Sequence, residues 1–461
     1  MKSDNRPSRA ERRANGKALR EKCPRTSLGE WKLRAKSQDI VALLEESDAD
    51  RIKGLIPLKY QRMAVSPFTF FRGSAIIQAR DLATTNVSGI IVQACGDCHL
   101  ANFGGFASPE RRLVFDINDF DETFPGPWEW DLKRLCASLM LASRDCKFSK
   151  SNAEAAVRAA AAEYRKRMAE FAEMTVLDRY YASVTLEAVQ HRFRNDPDMS
   201  ARLLKKEKQS HSRTSEGVAP KLTAVVDGRR KIKDDPPALY HYQSFTRDFE
   251  KHRQTFIEQY KQSLQADRRL LYEVYQHQDS VVKVVGVGSV GTRCFVSLLL
   301  ADEDDPLILQ FKEARRSVLE PPGGKSRYEN QGYRVVAGQR QMQAASDIFL
   351  GWSSTTGHDY YVRQFRDMKV TAEVETFKPS TLIAYATLCG WTLARAHAKT
   401  GSAAMIAGYL GSGEQFDDAL VQYSAAYADQ AERDFQTFQA AIRSGRLSTK
   451  PAKDKDLEFS I

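Results

Sequence analysis

Residues 281–314 read VVKVVGVGSVGTRCFVSLLLADEDDPLILQFKEA, three β-rich runs in succession with a glycine-rich turn between the first two. The turn, Gly286-Val-Gly288-Ser289-Val-Gly291, is a GxGxxG, a text shared by unrelated folds. A dinucleotide-binding fold needs a helix next, whose N-terminus meets a pyrophosphate. Here CFVSLLL follows instead, and its apolar and β-branched content predicts a strand. The glycine loop therefore joins two strands, and Lys312 closes the third apolar run, LILQF. Taken singly, a glycine turn is usually a hairpin and a strand-ending lysine is usually solvated. Their order and spacing make them half of a ligand site.

The other half lies about 190 residues upstream. Residues 95–131, CGDCHLANFGGFASPERRLVFDINDFDETFPGPWEWD, hold Asp97, His99, Asn102, Asp116, Asp119, Asp121 and Asp131 among glycines and aromatics. Carboxylates are rarely buried without a partner, so this density predicts a shared cation, a reacting hydroxyl, or both. GIIVQACGD reads as a buried strand ending at Asp97, RRLVFDIND as a second strand, and ANFGGFASPE between them as a loop.

Composition narrows the class. With 461 residues, 42% hydrophobic and 28% charged, the chain predicts a globular protein of two or three packed units. No apolar run approaches a membrane span and the N-terminus lacks a signal-like apolar stretch, so a cytoplasmic protein without membrane partners is expected. Seven scattered cysteines fit reduced thiols, and Cys95-Gly-Asp-Cys98 lacks the second pair or nearby histidine of a zinc site. The net charge of +10 suits anionic ligands, but aromatics are not interleaved with the basic residues, which argues against nucleic acid.

The expected division is a disordered basic arm (1–36), a mainly helical lobe carrying the catalytic loop (37–278), a β-rich nucleotide lobe (279–367), returning helices (368–445) and a flexible tail (446–461). Within the first lobe, 55–82 predicts helical pieces broken at Pro67 and Gly73, and 204–238 predicts a linker or mobile loop. No internal repeat is evident.

Strand, glycine loop, strand and strand-ending lysine match the kinase arrangement, in which the loop covers ATP phosphates and the lysine grips them. Gly96-Asp97-x-His99-x-x-Asn102 resembles the catalytic loop of the aminoglycoside phosphotransferase and choline kinase branch of kinase-like folds. That resemblance implies Asp97 as the base for a substrate hydroxyl and Asn102 as a ligand of Mg²⁺. It implies a further metal-binding aspartate after the next strand: Asp119, whose Asp-Phe-Asp-Glu text is the closer match, or Asp116. His99 is expected to order the loop, and Asp131 to cap its helix or brace the loop. Glu329 is the candidate carboxylate for Lys312, with Glu313 and Glu320 competing. Arg72 and Arg363 or Arg366 are candidates for phosphate contact.

In an ordinary kinase the glycine loop precedes the catalytic loop, and TLCGWTLARAHA (387–398) resembles the helix just before that loop. One rearrangement accounts for both displacements: an α+β, mostly helical, protein-kinase-like two-lobed fold, circularly permuted. SPFTFFRGS, CGDCHLANFG, FDINDFDE, GPWEWDLKRL, VGVGSVGTR, LQFKEA, GQRQMQAASDIFLGW, YYVRQFRDMK and LARAHA are also similar, over roughly 50–440, to a bacterial family, domain of unknown function 2252. The expected activity is ATP- and Mg²⁺-dependent phosphoryl transfer to an acceptor hydroxyl, of a small molecule before a protein. Gly286, Gly288, Ser289, Gly291, Lys312 and Glu329 would serve the nucleotide. The alternatives are a nucleotide-binding scaffold without turnover and a metallophosphoesterase, whose additional histidine motifs are missing from the sequence.

Overall fold

The computed structural model describes residues 6–34, 39–212, 214–241, 243–302, 305–355, 357–365 and 367–450. Helices α1 (Arg9–Lys22), α2 (Ile40–Asp48), α3 (Ile56–Met63), α4 (Pro67–Gly73) and α5 (Ala75–Leu82) come first. Four short strands follow: β1 (Ile91–Ala94), β2 (Phe103–Ala107), β3 (Leu113–Ile117) and β4 (Phe124–Pro127). Next are α6 (Trp128–Asp145), α7 (Lys150–Glu173), α8 (Val176–Tyr181), α9 (Leu186–Arg192), α10 (Pro197–His211) and α11 (Ser215–Leu222). β5 (Thr223–Val226), β6 (Arg229–Ile232), β7 (Leu239–Tyr240), α12 (Gln243–Ser263) and α13 (Ala266–Glu273) lead to the large sheet. That sheet is built mainly from β8 (Gln276–Lys283), β9 (Cys294–Leu300), β10 (Pro306–Ala314), β11 (Gly351–Thr355) and β12 (His358–Gln364). α14 (Glu320–Gly323) and α15 (Gln331–Met342) interrupt it after β10, and β13 (Val370–Thr371), α16 (Pro379–Thr400), α17 (Ala403–Leu410) and α18 (Gln415–Arg443) close the chain.

The protein is a mixed α/β molecule, about 54% helical, with antiparallel sheets, so the mostly helical expectation holds. The large sheet has the order β11-β12-β10-β9-β8-β7. β10 runs down its middle and is buried along its whole length, which explains its unbroken apolar text. A second sheet, β13-β2-β3, and the pair β1-β4 carry the 95–131 run. β2 is a correction: the Phe-Gly-Gly-Phe stretch was expected as loop. Gly104 is required there because any Cβ would stand 2.3 Å from the Val370 carbonyl oxygen on β13.

The helical core centres on α6, α7, α16 and α18. Trp128 stacks on Tyr164 with 5.6 Å between centroids. α16 crosses α7 closely because Gly390 faces Ala160, where a Cβ would lie 2.3 Å from the carbonyl oxygen. Glycine also orders the N-terminus, which composition marked as a disordered arm. α1 is capped by a reciprocal Ser8–Glu11 box, Gly16 faces the Met405 backbone, and Gly408 faces that of Arg13. Backbone contact, invisible to a charge count, holds this basic helix against α17.

The expected linker at 204–238 is likewise structured, with α10, α11 and a β5–β6 hairpin. Asp227 and Gly228 both take positive φ (51° and 70°), the Asp-Gly turn that joins two strands directly. At the C-terminus, Arg446 pairs with Asp39 and Glu45 and Leu447 is buried, so the start of the expected tail is anchored. The rest of that expectation, 451–461, lies outside the described residues. No described helix is long and apolar enough to cross a membrane.

Candidate functional site

β1 delivers the chain into Cys95-Gly96-Asp97, and this turn is fixed from below by α6 and α16. Gly96 has φ +90° and packs so tightly that a Cβ would lie 2.2 Å from the Glu122 carbonyl oxygen. The backbone N–H groups of Cys95 and Gly96 donate to the two carboxylate oxygens of Asp131, at 2.7 and 2.9 Å. His397 Nε2 lies 3.1 Å from the same carboxylate, and its Nδ1 lies 2.9 Å from the Tyr164 hydroxyl. An imidazole that donates to Asp131 through Nε2 accepts from Tyr164 at Nδ1. Asp131 is thus the brace of the loop. Tyr385 on α16 adds to this support, its hydroxyl placed 2.9 Å from the carbonyls of both Leu100 and Phe103.

Three residues beyond Asp131 on the same face of α6, Arg134 sets the Asp97 side chain itself. Its Nε donates to Asp97 Oδ1 at 2.8 Å, while its other nitrogens reach Gln78 Oε1 and the Phe71 carbonyl. Asp97 Oδ2 lies 3.7 Å from His99 Nε2, too long for a hydrogen bond. One oxygen is therefore anchored and the other left to the cavity. Asn102 turns its amide nitrogen to the Asp97 carbonyl oxygen at 2.6 Å, which frees its own Oδ1. His99 is buried with an unpaired Nδ1, and burial pulls its pKa down to about 4 despite the opposing charge of Asp97.

The two candidate metal-binding aspartates part company in the structure. Asp116 is fully buried: Arg395 Nη2 reaches both of its oxygens at 2.8 and 3.0 Å, and the Ala344 N–H donates to it as well. It lines neither cavity described below and ties β3 to α16. Asp119 opens onto both. Lys312 stands 3.4 Å from Asp119 Oδ2 and in close contact with Asp121 Oδ2. Burial raises Asp119, but the positive charges of Lys312, Arg363 and Lys369 outweigh that and hold its carboxyl well below the usual range. Asp121 is raised by burial and by Asp119, against the pull of Lys312. Burial would neutralise Lys312, but the two aspartates hold its ammonium well above its ordinary pKa.

The carboxylate partner of Lys312 is thus Asp121, a residue given no separate role by the sequence reading, and the three glutamate candidates are corrected. Glu329 is exposed ahead of α15, Glu313 pairs with Arg293 and His358, and Glu320 pairs with Arg316. α15 presents an arginine in place of a glutamate. Arg334 is buried and donates to the carbonyls of Asp121, Thr123 and Arg315, which fixes the Asp-Phe-Asp-Glu turn to the end of β10 in the large sheet. Tyr361, opposite Lys312 in the β10–β12 register, donates to Asp121 Oδ1 at 2.8 Å. The second aspartate of Asp-Phe-Asp was the available signal for Asp121; Arg134, Arg334 and Tyr361 had none beyond ordinary helix and strand text.

The glycine loop closes over this group. Gly286 and Gly291 take positive φ (60° and 88°), and Ser289 Oγ lies 3.3 Å from Asp121 Oδ2. Arg62 donates to the Gly286 carbonyl and Arg51 to that of Val290, both at 2.6 Å, so α3 and the turn after α2 hold the loop. Two cavities flank it. One of about 300 Å³ contains Asp97, His99 and Gly288. The other, about 1250 Å³, contains Lys312, Gln310 and Arg363. Arg72, Asn102, Asp119, Gly286 and Ser289 line both. Arg363 donates to Gln310 and to the Asn118 carbonyl; Arg366 lies outside the described residues.

Among the described residues no cluster of three or more His, Cys, Asp or Glu side chains is placed to hold a metal ion unaided. The oxygen donors facing the junction are Asn102 and Asp119, a set suited to a hard cation that takes its remaining ligands from phosphate and water.

A family model described as an uncharacterized protein conserved in bacteria matches residues 51–441. No curated protein and no solved structure gave a match. The matched span runs from Arg51, which holds the glycine loop, through Asp97, Asp119 and Lys312 to the bracing His397, and the chain belongs to the domain of unknown function 2252 family (DUF2252).

Proposed function

We propose that this protein is an ATP- and Mg²⁺-dependent phosphotransferase with a circularly permuted, kinase-like two-lobed fold. The observation that carries the reading is the meeting of two distant texts: Lys312 stands beside Asp119, and Asp119, Asn102 and the glycine loop line both the cavity of Lys312 and the cavity of Asp97. Further support comes from the sheet, with the loop between β8 and β9, the lysine on the next strand and a helix after it. The end of α16 lies beside the start of β1, where a Cβ on Gly401 would stand 2.6 Å from Val92 Cγ1 and 3.4 Å from the Ile91 carbonyl oxygen. A short loop would join them and restore the ordinary order, which is the geometry a permutation requires.

In this reading the larger cavity takes the nucleotide and the smaller the acceptor. Lys312, released from sharing Asp119 and Asp121, binds phosphate oxygens, and the glycine loop covers them with backbone N–H groups. Asn102 Oδ1 and the Asp119 carboxylate would hold Mg²⁺, which supplies charge neutralisation on the phosphates. Asp97 Oδ2 receives the acceptor hydroxyl. The hydroxyl oxygen bonds to the γ-phosphorus, the bond from that phosphorus to the bridging oxygen of ADP breaks, and the hydroxyl proton passes to Asp97. Arg134 fixes one oxygen of Asp97, which suits a loose transition state in which the main task of that carboxylate is orientation.

The test is Mg·ATP binding followed by thermal unfolding. Wild type gains several degrees with Mg·ATP and Asp119→Ala does not, whereas Asp116→Asn, if folded, retains the gain. A wild type indifferent to Mg·ATP, or an Asp119→Ala variant with an undiminished response, would refute this assignment.

A further inference from the structure

Of the five residues common to both cavities, two are the candidate metal ligands and two belong to the glycine loop. The fifth, Arg72, is the only cation among them. It comes from α4, whose backbone packs against the loop: the Arg72 carbonyl oxygen is 3.1 Å from where a Cβ on Gly288 would stand. Its guanidinium lies 5.7 Å from the Phe68 ring centroid.

What separates Arg72 from the surrounding arginines is its lack of a partner. Arg134 is saturated by Asp97, Gln78 and Phe71, Arg51 by Asp48 and the Val290 carbonyl, and Arg334 by three carbonyls. Arg72 Nε is shut off from solvent with no hydrogen-bond partner, and among the described residues the side chain makes no ion pair. Burial lowers its pKa, and the field of Asp97 partly offsets this. A largely buried guanidinium whose Nε has no partner costs stability. Its location shows what would satisfy it: an anion at the point where the nucleotide cavity opens onto Asp97. A group bound only by the acceptor would lie on one side of that junction; the transferring phosphoryl group lies on it.

We infer that Arg72 is a catalytic residue that pairs with the phosphoryl group in transit, a cation supplied from within the chain to a charge that develops between ADP and the acceptor. This rests on the phosphotransferase reading above. The planar fork suits the equatorial oxygens of that group. The α4 mount places the fork beside the candidate metal ligands, and the glycine loop packed against α4 walls the pocket.

Mg·ADP with aluminium fluoride mimics the group in transit and needs no knowledge of the acceptor. Full-length wild type, Arg72→Gln and Arg72→Lys are titrated calorimetrically with Mg·ADP alone and with Mg·ADP plus aluminium fluoride. Wild type should bind the fluoride complex on the order of 100-fold more tightly than Mg·ADP. Arg72→Gln should erase that gain while changing Mg·ADP affinity less than about 3-fold, and Arg72→Lys should recover only part of it. An undiminished gain in Arg72→Gln, an equal loss of both affinities, or a wild type without any gain overturns the role of Arg72. A wild type that binds neither complex overturns the phosphotransferase reading with it. Should Arg72→Gln fail to fold, as judged by circular dichroism, Arg72→Lys decides: a gain cut at least about tenfold upholds the role and an unchanged one rejects it.

Discussion

Lys312 on β10 pairs with Asp121 of the Asp-Phe-Asp-Glu turn, so a lysine of the large sheet is held by an acidic turn 191 residues away in the chain. Arg334 ties the same turn to the end of β10 by donating to the carbonyls of Asp121 and Arg315. Lys312, Asp119 and Asp121 therefore form a closed electrostatic unit, and any anion drawn to the lysine must compete with two aspartates.

Breaking that unit should expose its logic. Lys312→Met removes the one cation that contacts both Asp119 and Asp121 among the described residues and should lower stability by about 1–3 kcal/mol, a range reduced for their partial exposure. Adding Asp121→Asn should return most of the loss in urea unfolding, yet leave Mg·ATP binding absent. A double variant as unstable as the single would show that the pair is not coupled.

His99 should make the protein acid-sensitive. Its pKa falls from an ordinary 6.5 to about 4 in the fold, so the unfolded chain binds the extra proton between those values. Its contribution is present above pH 6.5 and is lost as pH falls toward 4, about 3 kcal/mol in all. His99→Gln should flatten that part of the stability profile measured by denaturant titration at successive pH values. A profile unchanged by the substitution would show that His99 protonates freely in the folded state.

Asp131 should matter more to the loop than to the helix it starts. Asp131→Ala strips the acceptor from the Cys95 and Gly96 amides and from His397, a loss of about 3 kcal/mol. Hydrogen exchange should localise the loosening to residues 95–102. Loosening confined to the first turn of α6 would instead make Asp131 a helix cap.

Two glycines with positive φ should respond differently to alanine. Gly96→Ala drives a methyl into the Glu122 carbonyl and should cost more than about 2 kcal/mol. Gly286→Ala meets nothing within 4 Å and should cost only the backbone term, about 1 kcal/mol. Equal unfolding midpoints for the two variants would contradict the packing at Gly96.

The strands around the glycine loop and the helical pieces of 55–82 were legible because period and breakers are local signals. β2 and the β5–β6 hairpin were missed although Gly104 and Asp227-Gly228 mark them. In each, polar or glycine-rich text looks like loop unless its partner strand is known. α1 was missed for a related reason, since its order depends on Gly16 and Gly408, which meet only in the folded chain.

The chemistry of the site was local too. Asp97, Asn102 and Asp119 stand at spacings set by one turn and two short strands, and Lys312 ends a strand that any partner would bury. The sequence by itself determined which residues carry charge and which oxygens are hard donors. Only tertiary structure decided which charges meet: Asp116 goes to Arg395, Asp131 to the loop amides and His397, Asp121 to Lys312, and Glu329 to solvent. The reason is physical. A carboxylate's identity is fixed by its atoms, but its role is fixed by whichever cation or amide the fold brings within about 3 Å, and those partners lie from 35 to 279 residues away.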